Sequence, residues 1–353
     1  MSVSDPVLKR FLEAQDRLVF QAADLSLGTI SGMVQKGAID VSPKYQRRER
    51  WSIEKQSALI ESFLLNVPVP PIYLAEDAFG RYSVVDGKQR ITAIHRFMTN
   101  GLALTRLEQF HEVEGRRYTD LPTDLQNALD VRPYLRVVTL LKQSDPTLKF
   151  EVFTRLNRGG ESMEPQELRN VAFRGELNDL IFDLAKNPFL ARQLKIRDTR
   201  SPAYQSMADA ELVLRFFALR DRWRSFSGDY RYEMDRFMVR NREISGDQLA
   251  ALKRAFEESI RACEAIWGEA AFKRPAGTTW RDQLLTGMYD AEMVAVDSIT
   301  QDQRASAIAR APQILAQTRA LFDDPDFETA VRIGTNTPSR VVYRIDSVMS
   351  LLN

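Results

Sequence analysis

The sequence predicts an α+β N-terminal domain followed by an all-helical C-terminal domain. Two observations carry that reading. Up to about residue 165, short strand-like runs alternate with helical ones. From Pro165 onward the strand-like runs disappear and long segments of 3.6-residue periodicity dominate. A chain of 353 residues is long enough for two such domains, expected at residues 1–165 and 166–353.

Each element has a local reason. Asp5-Pro6 offers an N-cap and a proline at the first helical position, with Val7, Leu8, Phe11 and Leu12 on one face of a short helix. A second helix, about Ser26 to Lys36, is stopped by Gly37, after which Ile39 and Val41 begin an extended segment. Ser52 can cap a helix whose inward face is Ile53, Leu59, Ile60, Phe63 and Leu64. The prolines of "VPVPPIYLAED" force extended backbone, and the turn "DAFG" pairs Ile72 to Glu76 with Arg81 to Val85. A helix from Gln89 to Met98 follows, then a hairpin-like "FHEVEGRRYTDL" and a strand around Leu135 to Leu141. Asp145-Pro146 opens a helix with Leu148, Val152, Phe153 and Leu156 inward, ended by Gly159-Gly160. The C-terminal helices are expected at 208–223, 230–239, 248–267, 280–296, 301–322 and 340–352.

Composition limits function by exclusion. Lysine plus arginine (49) nearly balances aspartate plus glutamate (48), so any nucleic-acid surface has to be a local patch. One cysteine, Cys263, excludes an intramolecular disulfide and reads as a buried core thiol. Charges break up the N-terminal segment, no run reaches the length of a membrane span, and a cytoplasmic protein with no membrane partner is expected. Two histidines and one cysteine cannot build a typical zinc site, and His95 reads as a packing or surface residue of its helix. There is no P-loop and no nucleophile elbow.

Three constellations could carry chemistry. The first is Asp86-Gly87-Lys88-Gln89-Arg90, where a strand hands over to a helix. A helix N-terminus attracts anions, Gly87 permits a tight turn, and an arginine in the first turn is disfavoured by the helix dipole unless an anion is present. Asp86 could cap the helix, hold Mg²⁺ or orient a water. The second is "SPKYQRRERW", where Lys44, Arg47, Arg48 and Arg50 stand against Glu49, and Tyr45 and Trp51 offer flat surfaces. It reads equally as a solvated loop whose aromatics fill the core edge. The third is "FTRLNRGGESMEPQELRN", where Arg155, Asn157 and Arg158 crowd a helix end beside two glycines. Cations there are also ordinary dipole partners. Eight arginines against four acids between Arg215 and Arg242 could form a basic face for DNA, or simply a solvated helical surface.

Taken in order, the strings "P-x-YQR-x-x-x-W", "LIESFLLNVPVPPIYL", "VVDGKQRITAIHRF" and "FTRLNRGGESMEPQELRN" resemble the N-terminal half of GmrSD-type modification-dependent restriction systems, in the ParB/sulfiredoxin-like superfamily. The resemblance covers roughly Ile30 to Phe173, and "NTPSRVVYRID" resembles the close of stand-alone members. It implies a small mixed sheet with helices, a nucleotide-binding site and a role in defence against phage or foreign DNA. Asp86 to Arg90 matches the family's DGQQR motif, associated with binding and hydrolysis of nucleoside triphosphates. Lys88 stands where that motif has its first glutamine. The histidine-containing metal motif of the family's fused nuclease domain is missing, so cutting DNA would need a separate effector protein.

The expected function is therefore a nucleoside-triphosphate-binding and hydrolysing module of a defence system, with Mg²⁺ and DNA as further partners. Asp86, Gln89 and Arg90 are the expected catalytic residues, with Asp86 on the metal. Gly87, Lys88, Tyr45, Gln46, Arg47, Arg155 and Asn157 would hold nucleotide, and Arg47, Arg48 and Arg50 would meet DNA. The alternative is a non-catalytic switch in which nucleotide closes the protein onto DNA or a partner. Homo-oligomerisation is left open.

Overall fold

The computed structural model of the protein describes residues 5–41, 51–132, 134–156 and 165–353. The chain divides into two compact units, Met1–Ala172 and Phe173–Asn353. The first is α+β with a mixed sheet, and the second is mostly helical.

In the first unit, α1 (Pro6–Arg17) leads into β1 (Phe20–Ser26), α2 (Leu27–Gln35), β2 (Ile39–Asp40), α3 (Ile53–Leu64), β3 (Ile72–Ala78) and β4 (Arg81–Asp86). Then come α4 (Lys88–Met98), α5 (Thr123–Val131), β5 (Tyr134–Leu140), α6 (Pro146–Leu156) and α7 (Pro165–Ala172). The strands order as β1-β5-β3-β4-β2. β3–β4 and β1–β5 are antiparallel, while β3–β5 and β2–β4 are parallel.

Strand alternation gives the sheet two apolar faces. Ile72 and Leu74 of β3, Val84 of β4, and Leu135 and Val137 of β5 join a core with Ile30 of α2, Ile60 of α3, Ile94 and Phe97 of α4, and Leu129 of α5. Ala75, Val85 and Leu140 turn to the opposite face and meet Phe153 of α6 and Leu168 of α7. Each such large side chain, fully buried, contributes about 1.5–3 kcal/mol. The caps expected at Asp5 and Ser52 are present, and Ser26 adds a third. Asp5 accepts from the Val7 N–H at 2.7 Å, Ser26 from Thr29 at 3.2 Å and Ser52 from Lys55 at 3.4 Å. Gly37, at φ +70°, ends the turn after α2.

Other expectations need correction. β1 and α5 have no counterpart in the sequence reading, and residues 110–121 form two short 3-10 turns, His111–Val113 and Tyr118–Asp120, instead of a hairpin. Glu61 fixes the chain that leads into that segment. Its carboxylate accepts the N–H groups of Glu108 (3.0 Å), Gln109 (2.6 Å) and Phe110 (2.9 Å), and curls the chain around one buried acid. Burial opposes the charge of Glu61, but the three N–H groups hold its carboxyl below the usual range. Ile53 is exposed, and so are Val7, Leu8, Phe11 and Leu12 of α1. The diglycine after α6 lies outside the described residues.

The second unit contains α8 (Glu176–Ala185), α9 (Pro188–Gln193), α10 (Pro202–Gln205), α11 (Ala208–Arg220), α12 (Tyr230–Arg240) and α13 (Asp247–Trp267). A small antiparallel ribbon, β6 (Pro275–Ala276) and β7 (Thr279–Trp280), precedes α14 (Thr286–Ser298), α15 (Gln301–Ala309), α16 (Ala311–Ala320), α17 (Pro325–Arg332) and α18 (Pro338–Leu352). The unit is thus not purely helical. Trp280 lies in the ribbon, and the helix expected over 301–322 breaks at Arg310, where Pro312 can sit only in a first turn.

A buried polar cluster ties this unit together. Asp290 of α14 accepts from Arg215 Nε (2.6 Å) and Nη2 (2.7 Å), from Arg344 Nη2 (2.5 Å) and from the Tyr230 hydroxyl (2.8 Å). Burial opposes its charge, but Arg215 and Arg344 hold its carboxyl below the usual range. Arg344 belongs to the "NTPSRVVYRID" string, which here has a structural use. Cys263 is fully buried and its thiol is pushed well up by burial, matching the expected core thiol. Among the described residues no helix is long and apolar enough to cross a membrane.

Candidate functional site

β4 ends at Asp86 and α4 begins at Lys88, so one residue makes the handover. Val84, Val85, Ile91, Ile94 and Phe97 are all buried, which anchors strand end and helix start in the unit's apolar interior. The joint is Gly87, the N-cap of α4, at φ 93° and ψ 15°. This left-handed conformation suits glycine. It also has no room for a side chain, because a Cβ there would lie 2.9 Å from Ile72 Cγ1 and 3.1 Å from Arg90 Nε and Nη2. Gly87 supplies no capping oxygen, so no N-cap side chain closes off the positive end of α4.

Arg90 folds back over this joint. Its Nη2 donates to Asp86 Oδ2 at 2.8 Å and to the Pro71 carbonyl at 3.2 Å. The side chain is only 14% exposed against 43% for Asp86. Arg90 Nε is buried and has no hydrogen-bond partner among the described residues. A buried, unsatisfied donor on a charged group is costly, and a bound anion would satisfy it. Asp86 therefore does not cap α4. It orients Arg90, and its other oxygen accepts no hydrogen bond among the described residues.

Lys88 and Gln89 occupy the first turn and are half-buried. The structure thus brings Asp86, Gly87, Lys88, Gln89 and Arg90 into one corner of the sheet. Arg155 is exposed near the end of α6, where it pairs with Glu151 at 2.5 Å. Tyr45, Gln46, Arg47, Arg48, Arg50 and Asn157 lie outside the described residues, as do Lys44 and Arg158. Trp51 is half-buried and packs against the sheet core, and its carbonyl accepts from Gln56 Nε2 at 3.0 Å. His95 sits between α4 and α2, with Nδ1 3.1 Å from the Ser31 hydroxyl, in keeping with a packing role.

Sequence reasoning missed Pro71. Its carbonyl holds Arg90 from the segment leading into β3, and only the extended "VPVPP" run hinted at an exposed backbone acceptor there. Among the described residues no group of three or more His, Cys, Asp or Glu could hold a metal ion. Asp86 alone offers one free carboxylate oxygen. Such a donor suits Mg²⁺ only where substrate phosphates complete the shell.

The first unit is an α+β domain with a mixed sheet, whose strand-to-helix corner combines a glycine, a tethered arginine and a helix start without a side-chain cap. Residues 30–174 match the family model described as GmrSD restriction endonuclease, N-terminal domain, so over that stretch the chain is similar to the N-terminal domain of a restriction-system component. No curated protein and no solved structure matches the chain.

Proposed function

We propose that the first unit binds and hydrolyses a nucleoside triphosphate for a cytoplasmic restriction or phage-defence system, acting on or sensing DNA together with a separate effector such as a nuclease. The observation that carries the reading is that Arg90 Nε, buried beside the uncapped start of α4, has no hydrogen-bond partner among the described residues. Backbone N–H groups of the first turn, Lys88 and Arg90 would receive phosphate oxygens, and Gly87 lets the backbone approach them. Gln89 would orient the attacking water. Asp86 would hold Mg²⁺ through its free oxygen, and the ion would neutralise charge on the phosphates. Tyr45, Gln46, Arg47, Arg155 and Asn157 would contribute from neighbouring segments, and Arg47, Arg48 and Arg50 would reach DNA.

A second reading rests on the Asp86–Arg90 pair. While Asp86 is engaged with Arg90 it neither caps nor presents both oxygens, an arrangement that favours nucleotide binding without turnover. Phosphate release with each of the four common nucleotides, with and without DNA and Mg²⁺, separates the two. Binding is tested by Arg90→Ala. Removing a charge-assisted hydrogen bond worth about 1.5–3 kcal/mol should weaken nucleotide at least tenfold. Unchanged affinity in a folded Arg90→Ala protein removes the phosphate site.

A further inference from the structure

The eight arginines from Arg215 to Arg242 sort into two groups of four. Arg215 is buried on Asp290, Arg220 pairs with Asp297 at 2.8 Å, Arg222 lies 3.5 Å from Glu233, and Arg224 pairs with Asp346 at 3.0 Å. These four hold the helical unit together. The other four, Arg231, Arg236, Arg240 and Arg242, are all exposed, and no ion pair or hydrogen bond engages their side chains among the described residues. They lie on α12 and the two residues after it.

Within the stretch from Arg215 to Arg242, the arginines without a partner among the described residues concentrate on α12. On the neighbouring α13, Lys253 is near Glu257, while Glu258 meets Arg304 and Glu264 meets Arg192. The chain as a whole has a net charge of only +1. Exposed Asp229 and Glu243 and half-buried Asp235 are the nearby acids, Asp229 being engaged as the N-cap of α12, so four exposed arginines still leave that face a positive excess. Glu233 points the other way, buried with Met234 and Met238.

We propose that the exposed face of α12 is a docking surface for the phosphate backbone of double-stranded DNA. Tyr232, Arg236, Val239 and Arg240 follow i, i+4, i+7, i+8 spacing and form one stripe, and Arg231 stands on its flank. A helix about 10–12 Å across with its side chains fits a major groove about 12 Å wide. Arginines on the stripe and its flank then face the backbones that border the groove. The rise of about 6 Å from Arg236 to Arg240 is close to two base-pair steps. Duplex RNA fits poorly, because its major groove is too narrow for side chains to read. An anionic membrane fits poorly as well, since Tyr232 and Val239 are the only large apolar side chains exposed on the helix. The surface belongs to the helical unit and does not depend on nucleotide binding at the strand-to-helix corner.

The test is fluorescence anisotropy with a labelled mixed-sequence DNA duplex, titrated across a salt series with no nucleotide present. The variants are the triple change Arg231→Ala, Arg236→Ala, Arg240→Ala, and the control Arg224→Ala, which removes an exposed arginine that already has a partner. Wild type should bind with a salt-dependent constant, and each phosphate no longer neutralised should reduce the log–log slope by about 0.9. The triple variant should bind at least tenfold more weakly and with a slope smaller by about 2.7, with an unchanged melting temperature. Arg224→Ala should keep the wild-type slope. No duplex binding by wild type at low salt overturns the proposal. So does an equal slope in the triple variant, an equal loss in the Arg224→Ala control, or tighter binding to duplex RNA or to phosphatidylserine vesicles than to DNA.

Discussion

Replacing Gly87 by alanine tests whether the strand-to-helix corner is built around the absence of a side chain. Two costs add. An L-residue at φ 93° loses about 1–2 kcal/mol to backbone strain. The new Cβ also meets Ile72 Cγ1 at 2.9 Å and Arg90 at 3.1 Å. Ile72 is 1% exposed within the sheet core and cannot retreat, so the guanidinium must move. That breaks the Nη2 hydrogen bonds to Asp86 and Pro71. Because Asp86 is partly solvated, breaking them costs about 1 kcal/mol and not the full value of a buried pair. Against this, alanine restricts the unfolded chain and returns about 0.4–1 kcal/mol. The net expectation is a destabilisation of about 2 kcal/mol. Gly80→Ala is the internal standard, since its φ of +74° carries the backbone strain but nothing lies within 4 Å of the added Cβ. Hydrogen exchange followed by mass spectrometry on peptides from β3, β4 and α4 reads this unit alone, under urea concentrations that populate its opening. If Gly87→Ala costs no more than Gly80→Ala, the corner tolerates a side chain and the close approach of Arg90 has no energetic meaning.

In the helical unit, Asp290→Asn removes the one carboxylate that Arg215 and Arg344 share, leaving two buried cations short of a counter-charge. A destabilisation of about 3–5 kcal/mol is expected by thermal or urea unfolding, and one under about 1 kcal/mol would show that the cluster is not electrostatically coupled. Glu61 makes the N-terminal unit sensitive to acid. Its folded pKa lies below the unfolded value, so its contribution is fully present above about pH 4.5 and is lost as pH falls through the folded pKa. Glu61→Gln should cost about 1–3 kcal/mol at about pH 7 and should flatten the pH dependence of stability in the acid range. An unaltered acid profile would assign that sensitivity to other carboxylates.

Much of the corner was legible because its signals are local. Alternation in "RYSVV", the turn at Gly80 and the glycine after Asp86 fix β4, its partner and the start of α4 within a few residues. The i, i+4 spacing of Asp86 and Arg90 permits their pair, although periodicity alone does not tell a capping aspartate from one that orients an arginine. What could not be read is what neighbours supply. β1, "FQAADLS", lacks apolar alternation and is a mostly exposed edge, so only its pairing with β5 makes it a strand. Residues 110–121 carry a plausible hairpin turn at Gly115, yet a carboxylate from α3, some fifty positions earlier in the chain, holds the backbone at 108–110 from which they start. The Pro71 carbonyl reaches Arg90 through a tertiary hydrogen bond of the same kind. In the C-terminal half, Arg215, Arg220, Arg222 and Arg224 cannot be told apart from Arg231, Arg236, Arg240 and Arg242 by sequence. Only the acids packed against the first four separate structural cations from available ones.

The strand order has a consequence for how the first unit assembles. β1 is made early in synthesis, but its register joins Phe20 to Leu140, so its edge stays unmated until more than a hundred further residues have emerged. β3, β4 and α4, by contrast, are consecutive and can associate by short-range closure. Assembly should start at that hairpin and its following helix, gain β5 through the parallel pairing with β3, and take in β1 last. The residues of the strand-to-helix corner then become ordered in the earliest step. Pulse-labelled hydrogen exchange during refolding should protect β3 and β4 before β1, and simultaneous protection of all three would rule out that order. The cost falls on β1, a nascent segment exposed to chaperones and to mispairing for as long as its partner is missing.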